Sequence, residues 1–591
     1  MRKILVNSAC SALAALVLGA PPAQGQASSD WAALSSGMTA PWPALQLPDG
    51  SFVDYVFTHS HRPPPAHNYG SALLGYALLQ NGLRNGDGRA IAAGLRALRY
   101  GAIHPAPTPR VIFQSLALVS AYNLARAGLP NDPRFAAIRG VLANRLRRIR
   151  PVVFGSGRGY YNFYLVEAVE LLELTGTGLR STVPHSALST PGRARRLAIG
   201  LVDHTLPRLA ARYTTRSPAG PVTVLSDPPW NPPAYQAFSL AMLARAVKLL
   251  GPQASHAARE LLRRAARAVW ALTSPDGDVA YFGRSQEESF VLSTAAYGEE
   301  AAAALPGTSA PDAQRFRWAA ARQLERLQRI HAGGPYGLFV TPALRIDLRS
   351  GIAGLDNYVS GVAYTGLTAA GLNWALAEGV PAEDSGAPGS LALGVGPSRL
   401  VVLRSPHEWL AVKQGPGTGQ YSDDMRYDAG LVALKRIAPD GSVSEVVPLR
   451  PRSAQLPGVG PLLRGGRLWG THLSLRAGAA LLTGGFRRGD RWLRRGVRVR
   501  YEPVPCGLRV TLPTRRGDRL QQSFFFRGRP RVSRHGRLLS DGTQAISLSR
   551  PAHVGLRPGY TSGAEVGLVR ARLRLRGDGR PLRITYCSAG P

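Results

Sequence analysis

Lysine is nearly absent from this chain of 591 residues: Lys3, Lys248, Lys413 and Lys435 are the whole complement. Acidic residues are also scarce, 36 against 72 Lys plus Arg, giving a formal net charge of +36. A GC-rich coding bias explains why arginine replaces lysine, but it does not explain the missing acids. A field this positive favours a polyanionic partner: acidic polysaccharide, nucleic acid, teichoic-type polymer or anionic lipid. Arginine forks bind carboxylate and sulfate through paired hydrogen bonds. The arginines are scattered rather than interleaved with aromatic stacking platforms, which argues against nucleic acid. Runs such as Arg145-Leu146-Arg147-Arg148 and Arg491-Trp492-Leu493-Arg494-Arg495 read as solvated faces.

Cysteine is limited to Cys10, Cys506 and Cys587. None sits in a nucleophile or metal motif, which argues against thiol chemistry and against a metal site. No stretch beyond the N-terminus runs about 18 residues without charge, so no later membrane span is expected. No strict internal repeat is visible, which argues against a consensus solenoid.

At the N-terminus, Arg2 and Lys3 precede an apolar run from Ile4 to Leu18, followed by small residues from Ala20 to Ala27. Residues 1–27 read as a secretory signal peptide, so the mature chain is expected to be secreted or periplasmic. Export makes a Cys506–Cys587 disulfide an open option, with two buried thiols as the other. The remainder is too long for one core.

Apolar residues at helical spacing mark Ser71–Leu83, Arg89–Tyr100, Ile112–Ala127, Pro133–Arg150, Tyr161–Thr175 and Pro191–Arg212. Pro232–Leu250, Ser255–Thr273, Glu287–Leu305, Pro311–His331 and Tyr358–Glu378 continue the series. Short connections imply antiparallel helical hairpins packed in a ring or arc. Residues 381–399 are rich in Pro, Gly and Ser and read as a linker. Beyond them, short alternating runs at 400–403, 409–412, 430–434, 480–482, 496–501, 523–526 and 582–586 predict an antiparallel β-sandwich. The expected plan is α+β multidomain: a helical domain over 28–380, the linker, and a β domain over 400–591.

Tyr, Asn, His, Trp and Arg gather just before several helices. One cluster is His59-Ser60-His61 with His67-Asn68-Tyr69, where Asp54 is the only nearby carboxylate, so a sugar-binding rim or a helix cap at Asn68 outranks a metal site. Others are Tyr160 to Glu170, Trp230-Asn231-Pro232-Pro233-Ala234-Tyr235-Gln236, and Asp276-Gly277-Asp278 with Tyr281, Arg284 and Gln286. Tyr235 and Tyr281 also suit core positions with a wet hydroxyl.

These segments resemble the heparinase II/III-like polysaccharide lyases, in which an incomplete α/α toroid precedes an antiparallel β-sandwich. The family's helix-entry motif has paired Asn residues followed by His, then a helix of the Leu-x-x-Glu-Ala kind. Asn162-Phe163-Tyr164-Leu165-Val166-Glu167-Ala168 is similar to it, with Tyr161 in place of the first Asn. Tyr235-Gln236 resembles the family's Tyr-His, with Gln in place of His. Gly419-Gln420-Tyr421-Ser422-Asp423-Asp424-Met425-Arg426-Tyr427-Asp428 stands where the family usually has Gly-His-x-His-x-Asp.

The resemblance implies β-elimination on a uronic-acid glycan without a cofactor. That reaction needs the carboxylate neutralised, the adjacent C–H proton removed and the glycosidic oxygen protonated. Asn162 and Arg284 are the candidates for the carboxylate. Tyr235 is the candidate base and acid, its hydroxyl activated by nearby cations. Tyr427 or Tyr421 is the candidate for a second proton transfer. His67, Asn68, Tyr161, Trp230, Asn231, Gln236, Tyr281, Gln286, Tyr421 and Arg426 are candidate sugar contacts. Two alternatives remain. A toroid glycoside hydrolase or epimerase would draw on Asp227, Asp276, Asp278, Glu287 or Glu288. A non-catalytic binder would hold anionic cell-wall or extracellular polysaccharide.

Overall fold

The computed structural model describes residues 27–56, 68–107, 111–151, 161–217, 219–225, 233–281, 285, 287–345, 359–379, 391–395, 400–415, 429–447, 460–562 and 565–588. The helical half begins with α1 (Ala27–Thr39), α2 (Trp42–Leu45), α3 (Asn68–Asn85), α4 (Gly88–Ile103), α5 (Val111–Gly128) and α6 (Pro133–Arg147). It continues with α7 (Tyr161–Gly176), α8 (Arg193–Ile199), α9 (Leu206–Ala211), α10 (Pro233–Leu250) and α11 (His256–Leu272). Last come α12 (Ser289–Ala303), α13 (Ala310–Arg326) and α14 (Gly361–Glu378).

Two kinds of helix alternate. In α7, every residue from Tyr164 to Leu174 is buried, and α12 and α14 are almost as fully enclosed. Helices apolar on all sides belong inside. By contrast α4, α11 and α13 each carry an exposed charged face, and their first turns are capped by Asp87, Ser255 and Ser309. Among the inner helices, contacts run α3–α5–α7–α10–α12–α14 and return from α14 to α3. The closure is locked from outside: the Asp54 carboxylate accepts from Ser360 Oγ at 2.6 Å and from the Gly361 amide at 2.8 Å. Asp54 is thus a cap on α14. A side chain at Gly361 would collide with the Tyr55 ring, its Cβ only 2.4 Å from it.

Two of the expected helices are interrupted. Residues 193–211 break into α8 and α9 through a wide turn at Gly200–Thr205, because Pro207 has no amide to continue the α-helical ladder. The helix expected to reach His331 ends as α13 at Arg326 and finishes in a similar wide turn.

The C-terminal half holds two antiparallel sheets. The smaller is β3 (Leu391–Val395), β4 (Leu400–Arg404), β5 (Glu408–Lys413), β6 (Gly430–Ile437) and β7 (Val443–Val447), in sequence order. β3 falls inside the stretch that its composition marked as linker. The larger comprises β8 (Leu462–Leu463), β9 (Gly466–Arg476), β10 (Ala479–Arg488), β11 (Arg491–Val504), β12 (Gly507–Leu512) and β13 (Arg519–Phe526). It is completed by β14 (Arg531–Val532), β15 (Leu538–Ser540), β16 (Gln544–Leu548), β17 (His553–Ser562), β18 (Glu565–Arg576) and β19 (Leu582–Ser588). The strand order is β14-β15-β16-β19-β12-β11-β10-β9-β8-β13-β18-β17. Twelve strands is wider than either half of a simple sandwich, and a sheet of that width curls. β1 and β2, Thr214–Thr215 and Val222–Thr223, form a separate ribbon among the helices. Cys506 and Cys587 are bonded, tying the β11–β12 turn to β19.

The small sheet is buried on both faces, which explains its continuous apolar runs. Leu400, Val402, Trp409 and Ala411 join the helical core, while Val401, Leu403, Leu410 and Val412 join the core shared with the large sheet. The register pairs Val402 with Ala411 on the first face and Val401 with Val412 on the second. A slip of one residue would exchange the faces. The same register pairs Trp409 with Lys435 and with Arg404, and turns these three toward the helices.

Candidate active site

The first turns of the six inner helices meet at one end of the ring. Tyr69 of α3 packs on Phe113 of α5 with ring centroids 6.4 Å apart. Phe113 also touches Phe163 of α7 at 5.9 Å and, across the ring, Phe238 of α10 at 6.1 Å. Phe238 reaches Phe290 of α12 at 6.3 Å, and Phe290 reaches Tyr364 of α14 at 4.8 Å. Gly70 of α3 and Ala363 of α14 close the circuit: a Cβ on the glycine would lie 3.3 Å from that of the alanine. The six helices therefore run parallel, and an aromatic plate floors the end where they start. Tyr69, Phe113 and Phe163 are half-buried, whereas Phe238, Phe290 and Tyr364 are buried.

No Asp, Glu, Lys or Arg occupies the first four residues of any of these six helices. Their amide ends supply the charge instead. Each helix start is equivalent to roughly half a positive charge, and six converge here, the α14 end already meeting the Asp54 carboxylate. The end suits an anion approaching over an apolar floor.

Further along the same helices the character reverses. Arg245 of α10 pairs with Glu173 of α7, and its guanidinium lies 4.5 Å from the Trp374 ring centroid of α14. Asn123 of α5 donates to Glu173 Oε2 at 3.0 Å. The Trp374 indole donates to the Tyr76 hydroxyl of α3 at 3.2 Å, and the Tyr297 ring of α12 lies 5.7 Å from Trp374. Six helices thus contribute one side chain each to a closed plug. Nearby acids are buried with little compensation. Burial, and then Glu167, push Glu170 well up. Burial pushes Glu300 up to about 8, against a smaller opposing pull from Arg317.

The sequence-derived candidates divide into three groups. Asn162 and Tyr235 lie in the first turns of α7 and α10, two helices in contact beside the plate, and are 2% and 6% exposed. Asn162 Oδ1 accepts from the Phe163 amide at 2.7 Å. Tyr161, at the start of α7, is buried; its hydroxyl donates to the Leu209 carbonyl at 3.2 Å, and burial pushes its pKa up.

Gln236 and Tyr281 serve other purposes. Gln236 is fully buried, accepts from the Leu225 amide and donates to the Thr223 and Ala265 carbonyls, each at 3.2 Å. It ties α10 to β2 and α11, with no amide group left facing the ring. Tyr281 is buried against Trp409 of β5, ring centroids 5.0 Å apart, at the seam between helices and sheet. The remaining candidates, His67, Trp230, Asn231, Arg284, Gln286, Tyr421, Arg426 and Tyr427, lie outside the described residues, as does the side chain of Asn68. The plate itself escaped sequence reasoning, although an aromatic within six residues of every inner helix start is a visible signal.

Asp276 and Asp278, the candidate acids for hydrolysis, are committed to the seam. The turn Ser274-Pro275-Asp276-Gly277-Asp278 follows α11, with Gly277 at a φ of +85° and its Cα against the Arg322 carbonyl. Lys435 of β6 has its Nζ 2.9 Å from Asp276, 3.3 Å from Asp278 and 3.1 Å from Glu445 of β7. Arg326 of α13 pairs with both aspartates. Burial alone would raise both carboxyls, but the Lys435 and Arg326 charges outweigh it and hold them below the usual range. A general acid needs the opposite shift. Nor is Asp227 among the described residues.

Among the described residues no group of His, Cys, Asp and Glu is arranged to hold a metal, and no helix is long and apolar enough to cross a membrane. Neither a known family model nor a curated protein sequence matches the chain. Solved structures do. The chondroitin AC lyase of Streptomyces coelicolor A3, determined in complex with chondroitin sulphate, superposes with a TM-score of 0.52 at 12% identity, covering 98% of this chain and 81% of its own. Heparinase III gives 0.53 at 10% identity, covering 94% and 85%. At such identities the likeness is one of fold. The chain has the fold of the chondroitin AC and heparinase III polysaccharide lyases.

Proposed function

We propose that this protein is an exported polysaccharide lyase that cleaves an acidic, uronic-acid-containing glycan by β-elimination. The observation that carries the reading is the convergence of six uncharged helix starts on one aromatic floor, with Asn162 and Tyr235 in adjacent first turns. On this reading the ring of inner helices is an α/α toroid and the two sheets are an elaborated β-sandwich. Aromatic floors stack on the apolar faces of sugar rings, and helix amides favour a carboxylate.

In the sequence, five of the six segments that precede these helices carry an arginine: Arg62, Arg110, Arg158, Arg284 and Arg349. Asn162 and Arg284 neutralise the uronate carboxylate, so that charge developing on abstraction of the C5 proton is stabilised. The Tyr235 phenolate takes that proton, the C5–C4 double bond forms, and the C4–O bond breaks. The leaving oxygen collects a proton from Tyr235 or from a second tyrosine, Tyr427 or Tyr421. His67, Asn68, Trp230, Asn231, Gln286 and Arg426 contact flanking sugars. Tyr161, Gln236 and Tyr281 drop out, since their environments commit them to packing.

Elimination leaves an unsaturated uronate that absorbs in the ultraviolet. Incubation with a panel of acidic polysaccharides is expected to raise that absorbance together with new reducing ends. Reducing ends without absorbance would mean hydrolysis. Retention of polysaccharide with neither signal would mean a binder, and either result would overturn the proposal.

A further inference from the structure

β18 places Arg570, Arg572, Arg574 and Arg576 at alternate positions, so all four leave the same face of the large sheet. Ala571, Leu573 and Leu575 between them turn into the apolar core. The neighbouring strands extend the row. β13 sets Arg519 opposite Arg576, and β17 sets Arg557 opposite Arg570 and His553 opposite Arg574. All but Arg570 of these seven groups are exposed, and Arg570 is half-buried. Residues 519–525, 553–557 and 570–576 contain no Asp or Glu. The hydrogen-bond partners in the row are neutral: Arg570 Nε donates to Ser523 Oγ at 3.0 Å, and Arg572 Nη2 donates to Gln521 Oε1 at 2.6 Å. Partial burial, then Arg574 and Arg570, pull the Arg572 pKa down, as expected where cations crowd.

Like charges directly opposite one another weaken a sheet. Charges on an edge strand guard against stray pairing, but the main row lies on β18, one strand in from the edge at β17. Edge protection therefore does not explain it. Alternate residues stand roughly 6.8 Å apart along a strand, so the four arginines make a track of about 20 Å. Because the intervening side chains turn inward, no apolar group projects between them to enter a membrane. The one aromatic that the register brings to this face, Phe525 opposite Arg570, is buried against Tyr560 and not open to stack on bases.

We infer that this face is a second binding track for a linear acidic polysaccharide, separate from the mouth of the helical ring. It holds the polymer on the protein between cleavage events. The identity of the ligand rests on the proposed activity; the track itself rests on the arginine row.

The test compares two charge-matched triple variants of the full chain: R572Q/R574Q/R576Q in the row, and R488Q/R491Q/R498Q on exposed positions of β10 and β11. Affinity for long chondroitin sulfate and polygalacturonate is measured across salt concentrations, alongside vesicles containing phosphatidylserine and single-stranded DNA. The row variant is expected to lose on the order of tenfold or more in polysaccharide affinity at low salt, with a shallower salt dependence. The control is expected to stay within about threefold of wild type, since it removes the same net charge elsewhere. Equal losses in both variants would reduce the track to a general field and overturn it. So would unchanged polysaccharide affinity in the row variant, losses confined to vesicles or DNA, or no wild-type binding to either polysaccharide. Matching circular dichroism melts confirm that both variants fold. Cleavage of a tetrasaccharide, assayed beside binding of the long polymers, separates the two proposals. Row-dependent binding without any cleavage sinks the lyase and keeps the track; cleavage with row-independent binding does the reverse.

Discussion

The two ends of the helical ring are made from the same six helices, yet one keeps charged side chains out of every first turn and the other is closed by an ion pair. At the starting end, residues such as Phe113, Phe163 and Tyr69 form a half-open floor with no charged side chain in the first four positions of any helix. Further along, Glu173 and Arg245 neutralise each other inside a cage of Asn123, Tyr76, Tyr297 and Trp374. The difference separates two tasks. Cohesion of the ring resides in the plug, where desolvated partners satisfy one another. The mouth is left with a surface whose attraction for anions comes from helix ends rather than from charged side chains in their first turns.

The sharpest way to break this division is Tyr235→Phe. Loss of the hydroxyl is expected to lower kcat by roughly 10²–10⁴-fold while polysaccharide binding and the unfolding midpoint stay near wild type. Full activity in that variant would remove Tyr235 from the chemistry. Arg245→Met is the converse. It leaves Glu173 buried without its partner and is expected to cost about 3–5 kcal/mol in denaturant unfolding, with kcat per folded molecule unchanged. A variant as stable as wild type would show that the plug does not hold the ring together.

Glu300 tests the same contrast through pH. Burial raises its pKa from the ordinary carboxyl range to about 8. A carboxyl shifted upward contributes stability that is fully present below the unfolded value and is lost as pH rises through the folded one. Stability is therefore expected to fall between about pH 4.5 and pH 8, and Glu300→Gln should flatten that fall. An unchanged slope in the variant would assign it to another acid. The smallest effect is expected from Phe113→Ala. Opening the floor removes a stacking surface worth about 0.5–1.5 kcal/mol, so KM should rise up to about tenfold while kcat changes little. A fall in kcat alone would mean the floor orients the reacting sugar instead.

Much of the ring was legible in advance because burial on all sides leaves an unbroken apolar imprint, as in α7 and α14, while the outer helices keep a charged face. The strands were legible for a similar reason: the runs at 400–403 and 409–412 are apolar throughout because both faces of β4 and β5 are covered. Site residues were harder. Asn162 and Tyr235 stood out through motif and helix position, but the pairing of Phe113 with Phe238 skips a helix and depends on ring closure. Asp276 and Asp278 looked like catalytic acids because their partner Lys435 is 159 and 157 residues away. Its rarity was the available clue: a chain with four lysines that buries one completely has a specific use for it. Gln236 misled for a different reason. Its place in a family-like pair said nothing of the three backbone groups that occupy its amide.

The small sheet has an implication for any attempt to divide the molecule. Val402 and Trp409 face the helices, and Val401 and Leu410 face the strands behind. Cutting the chain near residue 385 would strip the helices of one wall and leave that wall, still attached to the large sheet, as an open oily surface. Neither fragment would be expected to stay in solution alone. What reads along the chain as a boundary between halves is, in space, a party wall: it belongs to both rooms, and neither stands without it.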